Sequence, residues 1–152
     1  MISIDTIKAL RDKTGVSVMQ CRQALEEAKG DMEKALFVLQ KQSSAIAQKK
    51  SGRALGAGVV ASYIHTGGAI GALLELNCET DFVAKNPEFK ALASDLVMHV
   101  AAMAPENTEE LAAQPFVKDP SKTVADLISS NVQKFGERTE ISRFSRFSVL
   151  GN

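Results

Sequence analysis

Apolar side chains recur at helical spacing over the first forty residues of the chain. Ile4, Ile7 and Leu10 fall three residues apart, which places them on one face of a helix. Ser3 stands where its hydroxyl can cap the first turn, and Gly15 interrupts the pattern. The sequence therefore predicts a first amphipathic helix that ends near Gly15.

Two more helices are predicted before residue 43. Ser17 and Gln20 have the spacing of a capping box, and Gly30 suits the left-handed position that ends a helix. Asp31 then caps the third helix. The apolar positions of these two helices are Val18, Cys21, Ala24, Leu25 and Ala28, followed by Ala35, Leu36, Val38 and Leu39. We predict a compact three-helix domain over residues 1–42, near the lower size limit for a stable core.

The pattern then changes from helical to β-type spacing. Residues 43–56 are polar and basic, which favours an extension of the third helix that frays into a linker. β-branched and aromatic residues follow Gly58, and a turn at Thr66–Gly68 separates them from the apolar run Ile70–Leu76. We predict a β-hairpin. Asn86 and the following proline are then placed to cap and begin a long amphipathic helix.

The last third of the chain alternates between helix and strand. Residues 105–113 are interpreted as an acidic loop, and Gln114–Val117 as an edge strand because its proline cannot donate to a central ladder. An amphipathic helix over Thr123–Phe135 precedes a final strand over Ile141–Leu150. The predicted fold class is α+β, and residues 57–152 form a core domain in which helices pack on one face of a small antiparallel sheet.

Composition argues against several classes of protein. The chain has 152 residues, 45% hydrophobic and 24% charged, which is ordinary for a soluble globular protein. No apolar run approaches the roughly 18 residues of a membrane span, and no secretory signal is visible, so we expect a cytoplasmic protein without a membrane partner. Cys21 and Cys78 lie far apart, which fits neither a disulfide framework nor a zinc spacing. Net charge is zero, but Lys/Arg exceed Asp/Glu before residue 54 and are outnumbered after it, which supports a boundary near Arg53.

The connector between the second strand and the long helix carries the most informative candidate residues. Asp81 and Phe82 stand side by side between two rigid elements, where binding residues are often placed. In one interpretation they contact a partner. In the other, Thr80 caps a single helical turn, Asp81 stabilises its first turn and Phe82 belongs to the core. The residues alone favour both equally.

Other chemistry is less well supported. Cys78 with a histidine could form a nucleophilic pair, but a cysteine at a strand end is more often a small apolar core residue. Glu75, Glu79 and Asp81 are weak evidence for a metal. His99 lies beside the apolar face of the long helix and is interpreted as a satisfied, partly buried histidine.

The basic segment offers a further alternative. Lys41, Lys49, Lys50 and Arg53 could contact phosphate, but a solvated linker is favoured and no phosphate-binding loop motif is present. We expect no cofactor, no metal and no direct nucleic-acid contact.

Several segments resemble the elongation factor Ts family. The stretch from Leu10 to Asp31 is similar to its N-terminal signature, and Leu74–Asn86 to its second signature. Shorter similar segments follow in the family's order at Met98–Ala101, Gln114–Asp119 and Arg143–Phe147. The resemblance covers nearly the whole chain, and its first two motifs are long.

The resemblance implies a guanine nucleotide exchange factor for elongation factor Tu, with no covalent chemistry. The three helices would form a ubiquitin-associated-like domain that docks on the nucleotide-binding domain of the partner. The residues implied for that contact are Leu10, Arg11, Val18 and Met19. Those implied in displacing the partner's magnesium ion are Thr80, Asp81, Phe82 and Val83. His65 matches a histidine that lies near the same partner.

The resemblance also has departures. The segment before Gln114 is shorter than in the family, with only Glu106–Ala113 remaining, and Ser17, Val18 and Gln20 differ from the commonest residues there. Long members carry two copies of the core subdomain. A chain with room for one is expected to act as a homodimer.

Overall fold

The computed structural model describes residues 2–50 and 52–151, without the side chains of Ser44 and residues 46–50. The chain forms two compact units. The first unit contains residues up to Gly52 together with residues 129–137, and the second contains residues 53–128 and 138 onward. Each unit is a group of residues that contact one another, and such a group is not the same as a segment that folds independently. The domain limits predicted from the sequence, residues 1–42 and 57–152 with a linker at 43–56, therefore stay a prediction.

Strands and helices are interspersed along the chain after the first three helices. The elements are α1 (Ile4–Thr14), α2 (Val18–Glu27), α3 (Met32–Lys50), β1 (Ala57–Ile64), β2 (Ile70–Cys78), α4 (Asp81–Ala84), α5 (Pro87–Met103), α6 (Thr108–Ala113), β3 (Pro115–Phe116), β4 (Asp119–Thr123), α7 (Val124–Phe135) and β5 (Glu140–Ser148). This order confirms the predicted α+β class. None of the helices in the described part of the chain is long and apolar enough to span a membrane.

The first three helices are delimited by the residues that the sequence predicts. The Ser3 hydroxyl accepts a hydrogen bond from the Thr6 N–H, and Gly15 ends α1 with a left-handed φ of 70°. The Ser17 hydroxyl accepts from the Gln20 N–H at the start of α2. The buried core of this unit consists of Leu10, Val16, Cys21, Ala24, Leu25, Ala28, Ala35 and Leu39. Most of these residues lie at the predicted helical positions, whereas Ile4 and Val18, which share that spacing, are exposed.

The second unit is built on a three-stranded antiparallel sheet with the order β1-β2-β5. Side chains of β2 alternate between buried and more exposed positions, so Leu74 and Leu76 lie on one face while Leu73 lies on the other. Helix α5 packs against β1 and β2. Burying a large apolar side chain such as Phe89 or Leu96 of this helix stabilises the fold by about 1.5–3 kcal/mol.

The irregular apolar spacing of the last strand has a physical cause. The register of β2 with β5 pairs Glu75 with Arg143 but Leu76 with Ile141, so Ser142 is an extra residue on β5. Such a bulge turns the next side chains to the opposite face. Ile141 and Phe144 are therefore both partly buried although they are three residues apart.

The predicted acidic loop over residues 105–113 is wrong, because most of it forms α6. The Asn107 side chain accepts a hydrogen bond from the Glu110 N–H at 2.8 Å, and the Glu110 carboxylate accepts from the Glu106 N–H at 3.1 Å. Leu111 is fully buried and anchors the helix. An asparagine cap followed three residues later by glutamate is a helix-start signal that the acidic composition obscured.

The edge strand predicted around Pro115 is present but shorter, and its partner was not predicted. β3 pairs only with β4, in a separate two-stranded sheet within the part of the chain that the structure describes. β4 contains proline, serine, lysine and aspartate, which have low strand propensity. Tertiary context therefore decides its conformation.

Candidate functional site

The connector after β2 forms a single helical turn. Thr80 has an extended backbone and its hydroxyl accepts a hydrogen bond from the Val83 N–H at 3.4 Å. Asp81 occupies the first turn, where a carboxylate interacts favourably with the unpaired amides of a helix start. The next helix begins only three residues after this turn, at Pro87. The connector is thus held at both ends, as the sequence predicts.

This turn buries one side and presents the other. Val83 and the following alanine are buried, whereas Asp81 is exposed and Phe82 is 85% exposed. The structural interpretation made from the sequence is confirmed for the capping role of Thr80 and for the first-turn position of Asp81. Its prediction that Phe82 is a core residue is wrong. An unburied phenyl ring beside a carboxylate offers both an apolar and a charged contact.

The first unit presents a second group of apolar side chains. Val18 is 50% exposed and Met19 is 70% exposed, at the first two positions of α2. Arg11 is also exposed, on α1. Leu10, by contrast, is fully buried in the core of this unit. Three of the four residues that the resemblance implies for docking are therefore accessible, and Leu10 lies behind them.

His65 follows β1 and is exposed. Its Nδ1 atom lies 2.9 Å from the Tyr63 hydroxyl, and the two rings are 6.0 Å apart at an interplanar angle of 44°. Both rings border a cavity of about 380 Å³ that Met98 of α5 and Arg146 of β5 also line. His65 is available for contact with a partner, beside a mostly apolar depression.

His99 has the opposite environment. It is fully buried and stacks on Phe116 with ring centroids 5.8 Å apart. The Val117 N–H donates to its Nδ1 at 3.1 Å, so the proton of the neutral ring is on Nε2, which lies 2.9 Å from the Gln114 side-chain oxygen. Burial lowers the pKa of His99, and the bond to Gln114 opposes that shift. The prediction of a satisfied histidine is confirmed, but the side chain is fully buried and not partly buried as predicted.

Cys78 and Cys21 are both buried. The Cys78 thiol donates to the Thr80 carbonyl at 3.2 Å, and the Cys21 thiol lies 3.6 Å from the Val16 carbonyl. Burial raises the pKa of Cys21, so it is a neutral thiol at physiological pH. Both cysteines act as small packed side chains, and Cys78 also constrains the connector.

Three of the charged candidates, Glu75, Glu79 and Arg53, have partners within the second unit. The Glu75 carboxylate accepts from Asn77 at 3.0 Å and pairs with Arg143 at 2.8 Å; these contacts, led by the Asn77 bond, lower the pKa of Glu75. Arg53 pairs with Glu79. Within residues 2–50 and 52–151 no group of three or more His, Cys, Asp or Glu residues could hold a metal ion. The side chains of Lys49 and Lys50 lie outside the described residues.

Sequence reasoning missed the open sheet face, which we define as the sheet surface opposite α5. Its large exposed apolar residues are Val60, Ile64, Leu73 and Phe147, with Val149 just beyond the end of β5. Phe147 is 73% exposed, and a cavity of about 470 Å³ lies between Phe147, Ile64 and Leu73. The sequence did contain a signal of this face. Successive side chains of a strand point to opposite faces of the sheet, and apolar residues occupy consecutive positions in β1 and β2, so both faces are partly apolar.

The fold and these surfaces define an α+β protein with exposed side chains suited to binding another protein. Residues 79–152 match the family model described as Elongation factor TS. Elongation factor Ts of Carboxydothermus hydrogenoformans is 40% identical over 194 aligned positions, which cover 98% of this chain and 89% of the relative. Those of Desulforamulus reducens and Thermotoga maritima are each 39% identical, over 97% of this chain and 89% and 96% of the relatives.

The chain belongs to the elongation factor Ts family. The aligned length exceeds the 152 residues of this chain, so the relative from Carboxydothermus has residues that this chain lacks. This agrees with the shortening inferred from the motif spacing.

Proposed function

We propose that this protein is a guanine nucleotide exchange factor that acts on elongation factor Tu in the cytoplasm. Membership of the elongation factor Ts family supports a role in nucleotide exchange during translation elongation. The observation that carries the proposal to particular residues is the exposure of Asp81 and Phe82 on a turn anchored at both ends, within the second family signature. No covalent step and no cofactor are needed for this activity.

Docking is assigned to the first unit. Val18 and Met19 supply an exposed apolar pair, and Arg11 an exposed charge. Methionine and arginine are enriched at protein interfaces, where a few residues carry most of the binding energy. Leu10 is buried beneath the surface, so we assign it a supporting role in which it holds the helices in place rather than touching the partner.

Displacement is assigned to the connector. A bound GDP is held largely through its phosphates and a magnesium ion. Phe82 would enter between helices of the partner, and Asp81 would bring a carboxylate close to groups that hold that ion. Thr80 and Val83 keep the turn in shape, through the cap and through burial. His65, exposed on the same unit, is assigned an additional partner contact.

The energetics follow from linkage. A factor that binds the nucleotide-free state of its partner more tightly lowers the affinity for nucleotide by the same ratio. A thousandfold reduction corresponds to about 4 kcal/mol of coupling free energy. A few well-packed interface side chains can supply that amount.

The test is release of a fluorescent GDP analogue from elongation factor Tu. The wild-type chain should accelerate release, and Phe82→Ala should slow the accelerated rate at least tenfold, because the wedge is lost while the exposed position costs little stability. Phe37→Ala is a matched control, since Phe37 is also exposed but lies on α3. A wild-type chain that leaves the release rate unchanged would sink the proposal.

We also propose that the protein is a homodimer joined through the open sheet face. A monomer rarely exposes several large apolar side chains on one contiguous surface. A second copy presents the same surface, so one two-fold contact covers both at once. The Glu75–Arg143 ion pair on this face supplies the polar rim that such interfaces have.

Sedimentation velocity at micromolar concentration tests this arrangement. Wild type should sediment as a dimer, and Phe147→Asp as a monomer with an unchanged circular dichroism spectrum, because a charge would be buried at the contact. Phe37→Asp should remain dimeric. If wild type is monomeric, the open sheet face needs another explanation.

A further inference from the structure

Glu79 stands immediately before the turn that carries Asp81 and Phe82, and its side chain is only 17% exposed. A carboxylate that is withdrawn this far from water needs hydrogen-bonding partners. The residue that follows it, Thr80, caps the turn, and the residue before it, Cys78, is buried in the sheet. Glu79 therefore lies where a change in backbone position would be passed directly to the exposed side chains.

Glu79 has partners in two other segments of the second unit. The backbone N–H of Arg138 donates to its Oε2 atom, and the Arg53 guanidinium lies 3.5 Å from its Oε1 atom. The Arg138 guanidinium in turn donates to the Arg53 carbonyl and pairs with Glu140 at 2.8 Å. Three distant stretches of sequence thus meet at one carboxylate, just beyond the last paired residues of β2 and β5.

Helix α4 cannot hold its own position. It has four residues, far below the length at which a helix is stable in isolation. Phe82 gains almost no packing from its own unit, since 85% of its surface is exposed. The direction in which Phe82 points is therefore set by the backbone of the turn. That backbone is held by the burial of Val83 and Ala84 and by contacts to residues 78–80.

We propose that Glu79 is a positioning residue for nucleotide exchange, holding the base of the turn against the segment before β5. This inference rests on the proposed function, because it concerns the element assigned to displacement. Glu79 acts through the turn and not by contact with the partner.

The contacts of Glu79 with Arg53 and Arg138 contribute unequally. The Arg53 side chain is about half exposed and its distance is long, so this ion pair is screened by solvent and salt. The Arg138 N–H donates to a mostly buried acceptor, whose charge adds to the strength of the bond. A neutral acceptor at position 79 keeps this hydrogen bond and loses the charge contribution and the screened ion pair, so it should preserve most of the positioning.

The experiment measures GDP release from elongation factor Tu over a range of exchange-factor concentrations, with Glu79→Gln, Glu79→Leu and Arg53→Ala. Glu79→Leu should lower the maximal release rate about tenfold while the half-saturating concentration stays within twofold, because docking by the first unit is intact. Glu79→Gln should stay within threefold of wild type, and so should Arg53→Ala. Glu109→Leu, at an exposed glutamate of α6 in the same unit, is the matched control and should behave as wild type.

Hydrogen exchange of the chain alone provides an independent readout. The amides of Val83, Ala84 and Lys85 are hydrogen-bonded within the turn. They should exchange at least tenfold faster in Glu79→Leu, whereas amides in the middle of α5 should be unchanged. Unchanged exchange at these three amides overturns the positioning role, whatever the partner assay shows.

A Glu79→Gln variant as impaired in release as Glu79→Leu, with protected amides, would also overturn it, since the charge would then act on the partner directly. If the wild-type chain does not accelerate GDP release, the proposed function is wrong. The hydrogen-exchange measurement then still decides whether Glu79 holds the turn in place.

Discussion

The two units expose their candidate contact residues on supports of very different strength. Val18 and Met19 begin a ten-residue helix whose opposite side, with Cys21, Ala24 and Leu25, lies in a hydrophobic core. Phe82 lies on a four-residue turn that is held by a threonine cap, a cysteine thiol, the burial of Val83 and the contacts that Glu79 makes at its base. Val18 and Met19 are therefore held by their own helix, whereas Phe82 is held by contacts with distant parts of the chain. An element that docks can rely on its own helix, whereas one that must be aimed at a particular group needs anchors from elsewhere in the fold.

The largest expected effect separates support from contact in the first unit. Leu10→Ala should lower the free energy of unfolding by about 2–5 kcal/mol, because it leaves a cavity at a fully buried position. Chemical denaturation monitored by circular dichroism measures this change. Ile4→Ala, at an exposed position of the same helix, is the control and should change stability by less than about 0.5 kcal/mol. A stable Leu10→Ala variant with weak partner binding would return Leu10 to the contact surface.

The next effect distinguishes docking from displacement. Met19→Ala should raise the half-saturating concentration in the release assay about tenfold, equivalent to about 1.4 kcal/mol, with the maximal rate unchanged. Phe82→Ala should do the reverse, because its side chain acts after docking. Titration of release rate against exchange-factor concentration gives both quantities. If both variants change the same quantity, the division of roles between the two units is wrong.

The smallest expected effect is the pH dependence of stability that arises from the buried His99. His99 is buried as a neutral ring and its pKa is lowered, so the unfolded chain binds a proton more readily than the folded one. The contribution of His99 to the free energy of unfolding is therefore fully present above the ordinary histidine pKa, about 6.5, and falls as the pH drops below that value. The Cys21 thiol in the core of the first unit is neutral over this range.

Thermal unfolding between pH 7.5 and pH 5.5 checks this difference. The melting temperature of wild type should fall with pH, and that of His99→Gln should fall less steeply, because the glutamine does not titrate. An identical slope in both proteins would assign the acid sensitivity to other groups.

Much of the architecture was predictable because its signals are local. Capping residues such as Ser3 and Asn86, and the proline that begins α5, act on their own neighbours, so the helices they start were correctly placed. The hairpin of β1 and β2 followed from a glycine turn between two runs of β-forming residues. Helix α6 was missed although its cap is equally local, since its acidic residues were interpreted as loop composition.

The candidate site was predicted in position but not in exposure. Periodicity over four residues cannot tell whether a phenylalanine points inward, so Phe82 had even odds until the fold showed its neighbours. Leu10 shows the converse, because its helical spacing marked it as a core residue while the resemblance implied a contact. The partners of Glu79, at positions 53 and 138, are separated from it by long stretches of chain, and no local pattern links them.

The sequence by itself determined the class, the family and the location of the connector, since these depend on local periodicity, capping and contiguous motifs. Only the tertiary structure decided which side of the connector is exposed, that the sheet has an uncovered apolar face, and what anchors the turn. The reason is physical: burial and long-range hydrogen bonds depend on residues brought together by folding, and an element too short to be stable alone takes its geometry from them.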